Sequence, residues 1–317
     1  MAPSAVAISV FAQSRAPCAD VYALLLGGVC IGFAPILVRL ADTGPVASAF
    51  WRLCLAAPLL WLMVGLRQWH AARDRHASQS TASQAGDSSR PHFALLLAGM
   101  FFAADLGTWH FSIRDTTVAN ATLLANCAPL LVTLYALVVE RRSPPRSYYL
   151  ALALALSGTV ALVGPNFERT GHQLRGDAFG LIAAVFYTAY MLAVKRARTQ
   201  VDTLRLMAIS TSISALVLLP AALSLSGSSQ QAFWPMSLHG WLVLFGMALV
   251  TQILGQGLIA YALAHLSAAL STTGLLVQPV VATIAAWFIF AEALGPWQLL
   301  GAPILLLGIY LARRSQV

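Results

Sequence analysis

The chain has 317 residues; 59% are hydrophobic and only 9% are charged, and its mean hydropathy is +0.75. Soluble domains carry roughly 25% charged residues, so composition excludes a soluble globular enzyme, and it excludes a disordered chain, which would be poor in apolar residues. The formal net charge of +8 fits basic loops that orient membrane spans against an anionic inner leaflet, not a nucleic-acid partner.

The first 19 residues are mixed and mildly apolar. They lack a basic n-region, which argues for a cytoplasmic segment and against a cleaved signal. Ten apolar runs follow, at about 21–40, 46–66, 93–111, 117–139, 148–164, 176–195, 204–225, 238–261, 267–290 and 296–312. A helix needs about 20 residues to cross a bilayer core, so 148–164 and 296–312 sit at the short limit. Strand-like alternation is missing, and in lipid a helix satisfies its own backbone. The reading is an all-α integral membrane protein of ten transmembrane helices. The longest polar insert, 67–92, is rich in Ser, Gln and Ala and reads as a flexible cytoplasmic loop. In that topology fourteen basic residues fall on the N-terminal side of the membrane. Four fall on the other side, Arg39, Arg114, Arg169 and Arg175, and Arg52 lies within the second run. The bias places both termini in the cytoplasm.

The second half repeats the first. At an offset of 150, Gly107 meets Gly257, Ala119 meets Ala269, Thr122 meets Thr272 and Pro129 meets Pro279. Thr133 meets Thr283, Ala136 meets Ala286, Leu150 meets Leu300 and Gly158 meets Gly308. An offset of 157 aligns the openings, Asp20 on Asp177 and Arg39 on Arg196. The first repeat is placed at 20–164, a periplasmic linker at 165–175 and the second repeat at 176–314. Five helices is an odd number, so the second repeat enters the membrane from the opposite side. That is an inverted-topology repeat, a recurrent architecture of secondary transporters.

Certain segments carry a resemblance to a known family. They are G-F-A-P-I-L-V-R-L at 32–40, G-P-V-A-S-A-F-W-R at 44–52 and N-A-T-L-L-A-N-C-A-P at 120–129. In the second half they are L-G-Q-G-L-I-A-Y-A-L at 254–263 and Q-P-V-V-A-T-I-A-A-W at 278–287, followed by Glu292. Over about 21–314 the chain resembles the EamA-type members of the drug/metabolite transporter superfamily. The resemblance implies ten helices in two repeats and the movement of amino acids, other metabolites or toxic compounds, often outward. One departure is that Glu140 follows Pro129 by 11 residues, whereas Glu292 follows Pro279 by 13.

Ionisable groups inside spans are costly and therefore mark function. Asp105 lies about 12 residues into the third run, roughly 18 Å along a helix, and Arg52 about six residues into the second, roughly 9 Å. The two are expected to pair, or to face one aqueous cavity; a purely structural pair is the alternative. Asp105 is also the candidate carrier of a coupling proton. Phe101, Phe102, Thr108 and Trp109 share its helical face, whereas His110 is turned about 140° away. The fourth run carries a polar stripe of Thr122, Asn126, Pro129 and Thr133. Pro129 frees a carbonyl one turn back and can bend the helix; Gln278 and Pro279 repeat the device in the ninth run. Gln252 and Gln256 lie one turn apart and either touch substrate or bond neighbouring helices. Tyr187 and Tyr190 are candidate cavity aromatics, with packing as the alternative. Glu140 and Glu292 read as span-end markers.

The single lysine, Lys195, follows Val194, so there is no P-loop. HExxH and G-x-S-x-G are missing too. Cys18, Cys30, Cys54 and Cys127 show no disulfide or metal spacing. No metal and no cofactor is expected. The reading is a secondary transporter of the bacterial inner membrane, exporting a small amino acid-like or amphipathic solute by alternating access. An importer or exchanger of the same fold stays open, as does a homodimer. Outside that class stand an intramembrane enzyme, which lacks a visible nucleophile–base or metal constellation, and a non-transporting scaffold, which needs no mirrored polar stripes.

Overall fold

The computed structural model describes residues 18–77, 90–116, 121, 124–163, 171–226, 232–291 and 294–315. Among the described residues every regular element is a helix. Ten rods follow one another: α1 (Cys18–Leu40), α2 (Pro45–Ala77), α3 (Arg90–Asp115), α4 (Ala128–Val138), α5 (Arg146–Val163), α6 (Gly171–Ala197), α7 (Thr203–Leu225), α8 (Leu238–Ala262), α9 (Ala268–Phe290) and α10 (Pro296–Arg314). They follow the order of the ten apolar runs, with α2 extended well past residue 66 into the polar insert and α4 covering only the second part of the 117–139 run, of which 117–120 and 122–123 lie outside the described residues. Seven of them, α1 to α3 and α6 to α9, are long and apolar enough to cross a membrane.

Local chemistry sets the starts. Pro45 and Pro296 open α2 and α10, where a missing N–H costs nothing. Asp202 caps α7 by accepting from the amides of Leu204 and Arg205 at 3.1 and 3.2 Å. Ser237 and Ser267 cap α8 and α9 by accepting from Gly240 N and Leu270 N. Two rods are interrupted just ahead of a proline, and a third begins just after a turn that precedes one. α1 breaks at Phe33, before Pro35, and α9 turns at Leu275 and Leu276, before Pro279. A turn at Asn126 and Cys127 precedes Pro129 in α4. α8 is interrupted differently: Met247–Gln256 is π-helical.

Leu53, Phe102, Leu206, Met207, Met247 and Ile259 form part of the buried core, while Leu62, Leu216, Phe288 and Leu299 project outward. So large an apolar exterior needs lipid as its solvent. α3 packs along α6 and α1 along α8; α2 crosses α7 and α5 crosses α10. The last crossing is close because of two glycines. A Cβ on Gly158 would strike the Leu305 backbone, and one on Gly308 would strike the Ala155 backbone. Arg141 and Ala291, 150 residues apart, are the two described non-glycine residues with positive φ, each at 53°. Each follows closely on the end of its rod, α4 or α9. These two residues are in register at the 150 offset, although the helix ends, Val138 and Phe290, are 152 apart, as Glu140 and Glu292 are. Glu292 itself lies outside the described residues, as does the N-terminal segment through residue 17.

Candidate functional site

A cavity of about 100 Å³ lies among α1, α2, α3, α6, α8, α9 and the turn before α4. Its walls include Arg52, Asp105, Trp109, Asn126, Tyr187, Gln256 and Gln278, all expected from the sequence. Residues at the breaks in the rods line it as well. Ile31, Gly32 and Pro35 line it from the α1 break and Ala125 from the α4 turn. Pro35 and Pro129 carry no N–H to offer the carbonyls of Ile31 and Ala125, four residues earlier. These positions of α1 were not among the expected site residues. Their signal was present in Gly32 and Pro35, close together in one apolar run.

Arg52 and Asp105 are both buried, at 4% and 9% exposure, and their charges interact. Among the described residues no ion pair within 4 Å joins them. Of the two arrangements expected, the structure has the shared cavity without direct pairing. Arg52 instead donates Nε–H to Gln252 Oε1 at 3.1 Å, and its guanidinium carbon lies 5.8 Å from the Phe102 ring centre. Gln256 reaches the cavity with a buried Oε1 that accepts no hydrogen bond. Tyr187 and Gln278 both line the cavity wall.

Other expected residues lie elsewhere. Gln252 is behind Arg52, where its Nε2 donates to Thr211 Oγ1 at 2.9 Å. Tyr190 is buried behind the wall, stacked on Phe102 at 4.7 Å and 26°. Phe101 packs toward Phe186, and Thr108 returns its hydroxyl to the Ala104 carbonyl. Thr133 bonds the Pro129 carbonyl at 2.7 Å, which takes up one of the polar groups of the α4 stripe. Thr122 lies outside the described residues. His110 is separate, as its helical angle required: it borders a small void with Gly44 and Ser226.

The arrangement is one cation and one anion, held apart, with amide and aromatic walls. Burying either charge is expensive unless something answers it. The cavity can therefore hold a small solute that carries opposite charges at its two ends. Among the described residues no group of three His, Cys, Asp or Glu side chains could hold a metal ion.

Comparison with known proteins agrees with the architecture. The model of the EamA-like transporter family matches residues 20–164 and 174–314. An uncharacterised transporter of Archaeoglobus fulgidus is 25% identical over 229 residues, 72% of this chain and 79% of that protein. The pseudopaline exporter CntI of Pseudomonas aeruginosa is 25% identical over 174 residues, 55% of this chain and 58% of that protein. A solved crystal structure shares the fold at a TM-score of 0.74 and 15% identity, covering 94% of this chain and 98% of its own. With both halves of the sequence matched by the family model, the chain belongs to the EamA-like transporter family and is a multi-pass membrane transporter, not an enzyme.

Proposed function

We propose that the chain is a secondary active exporter of a small amino acid-like solute, working by alternating access in a bacterial inner membrane with both termini cytoplasmic. The observation that carries this reading is the cavity charge pair. Arg52 and Asp105 open on one cavity without bonding each other, and Gln256 Oε1 beside them lacks a donor. A carboxylate at Arg52 and an ammonium at Asp105 answer both charges, and Gln256 offers the ammonium a second acceptor. Outward transport is supported by the similarity to an exporter. Asp105 is the group we assign to proton coupling.

The two halves are read as inverted repeats, 20–164 and 176–314, with α6 reaching back to Gly171, inside the 165–175 linker. Support comes from the packing. Renaming each helix n as n+5, modulo ten, turns α3 against α6 into α8 against α1 and returns α2–α7 and α5–α10 to themselves. The Gly158 and Gly308 contacts exchange in the same way, since Ala155 and Leu305 are also 150 apart.

The test is efflux from proteoliposomes loaded with the twenty common amino acids, with and without a proton gradient. Wild-type protein should release at least one of them. A charge-assisted contact is worth about 1.5–3 kcal/mol, so Asp105→Asn and Arg52→Gln should each slow release by about tenfold or more. Failure of every amino acid to move under any gradient would overturn the reading, as would wild-type rates in Asp105→Asn.

A further inference from the structure

Arg52 is held by a two-step relay that does not touch the cavity. Its Nε–H goes to Gln252 Oε1 at 3.1 Å, and Gln252 Nε2 goes to Thr211 Oγ1 at 2.9 Å. Gln252 is 1% exposed and Thr211 is fully buried. The relay joins α2, α8 and α7, three rods on which no other expected site residue except Gln256 lies.

We infer that Thr211 and Gln252 are positioning residues, which set the Arg52 guanidinium to receive the anionic end of the transported solute. This rests on the proposed function. The argument is one of donor and acceptor direction. A guanidinium has five N–H donors and no acceptor, and a neutral amide has one face of each kind. Gln252 must therefore turn its oxygen toward Arg52. Rotated by half a turn, its NH2 would oppose the guanidinium, donor against donor. Arg52 thus decides the orientation of the amide, and Thr211 Oγ1 holds it there by accepting the amide N–H on the far side. With Nε engaged, the plane of the guanidinium is fixed, and its terminal N–H groups are left for a planar carboxylate. The π-helical stretch Met247–Gln256 carries Gln252 and ends at Gln256. The same segment thus holds Arg52 from behind and presents the unpartnered amide oxygen in front. π-helical turns are rare and concentrate at functional sites.

The test uses the full-length protein in proteoliposomes and two solute pairs: leucine with isoamylamine, and phenylalanine with phenethylamine. Each amine lacks only the carboxylate. Thr211→Val removes the acceptor at nearly constant shape. It should raise KM for the amino acid by about fivefold to tenfold, the weight of one buried hydrogen bond, and leave KM for the amine unchanged. Thr211→Ser should restore the wild-type value. Gln252→Glu places a carboxylate against Arg52 and should abolish amino acid selectivity over the amine, while the melting temperature stays near that of wild type. An equal change in both KM values, or none, overturns the inference, and the proposed function survives if Arg52→Gln and Asp105→Asn still slow efflux. If the wild-type protein moves neither member of either pair, the same comparison is made with an amino acid that it does release and the matching amine; if it releases none of the twenty, the proposed function falls and this inference with it.

Discussion

Gln256 and Gln252 differ in what their burial means. Gln252 uses both ends of its amide, on Arg52 and Thr211. Gln256 leaves Oε1 buried and unused, a cost of about 1–3 kcal/mol in a medium with no competing water. Gln256→Leu is therefore expected to raise the melting temperature of the solubilised protein while reducing transport, the trade-off seen where a site stores cost for its ligand. A parallel fall in both would assign Gln256 to structure alone. Ala291 offers a control away from the site. Its φ of 53° disfavours any side chain by roughly 1–2 kcal/mol, so Ala291→Gly should stabilise by about 1 kcal/mol with transport unchanged. Thermal denaturation in detergent reads this directly. Asp105 and Arg52 were legible because a charge in an apolar run is rare. The two glutamines were legible as a pair but not as different in role, because one turn of spacing puts both on a single face. Thr211 was not legible: within S-T-S-I-S at 210–214 nothing marks one hydroxyl as the partner of an amide on another helix.

At the scale of elements, the prolines turn sequence into cavity wall. Pro35, Pro129 and Pro279 each follow an interruption or a turn, and residues beside each line the same space. Pro129 and Pro279 were readable as bending points. The break at Phe33 was not read, because hydropathy runs unbroken from 21 to 40. The π-helical stretch was also hidden, since no residue type demands it. The crossing of α5 and α10 depends on small residues in the way membrane helices do. Gly158→Leu puts a side chain where the Leu305 backbone lies, and the rods must separate. Overpacking of this kind costs about 1–3 kcal/mol. Gly308→Leu should cost a similar amount, since it meets Ala155 in the same way. The double variant should cost less than the sum of the two, because the first separation already makes room for the second. Unfolding of the single and double variants in mixed micelles measures this; strict additivity would mean that the two contacts are independent.

The whole molecule is tied at both ends by related contacts. Asp20, at the start of α1, lies 3.5 Å from His265 in the α8–α9 connection. Asp177, near the start of α6, accepts from Thr116 Oγ1 at 2.8 Å, just past the end of α3. Asp20 and Asp177 are the pair aligned by the 157 offset, and 116 and 265 differ by 149. In the proposed topology the first contact is cytoplasmic and the second periplasmic, so each secures one end of the transport path. Lys195 reinforces the cytoplasmic end by donating to the Leu266 carbonyl at 2.6 Å. Alternating access then requires the two ends to respond separately. In a variant with Cys18, Cys30, Cys54 and Cys127 replaced by serine, Ala125→Cys puts one thiol in the cavity wall. His265→Ala is expected to speed its labelling by a membrane-impermeant maleimide from the cytoplasmic face. Thr116→Val is expected to speed labelling from the periplasmic face. Because a two-state path cannot open at both ends together, each variant should also slow labelling from the far side. Acceleration from both faces at once would mean a loosened bundle in place of a shifted equilibrium, and would remove the mirrored contacts from the transport cycle.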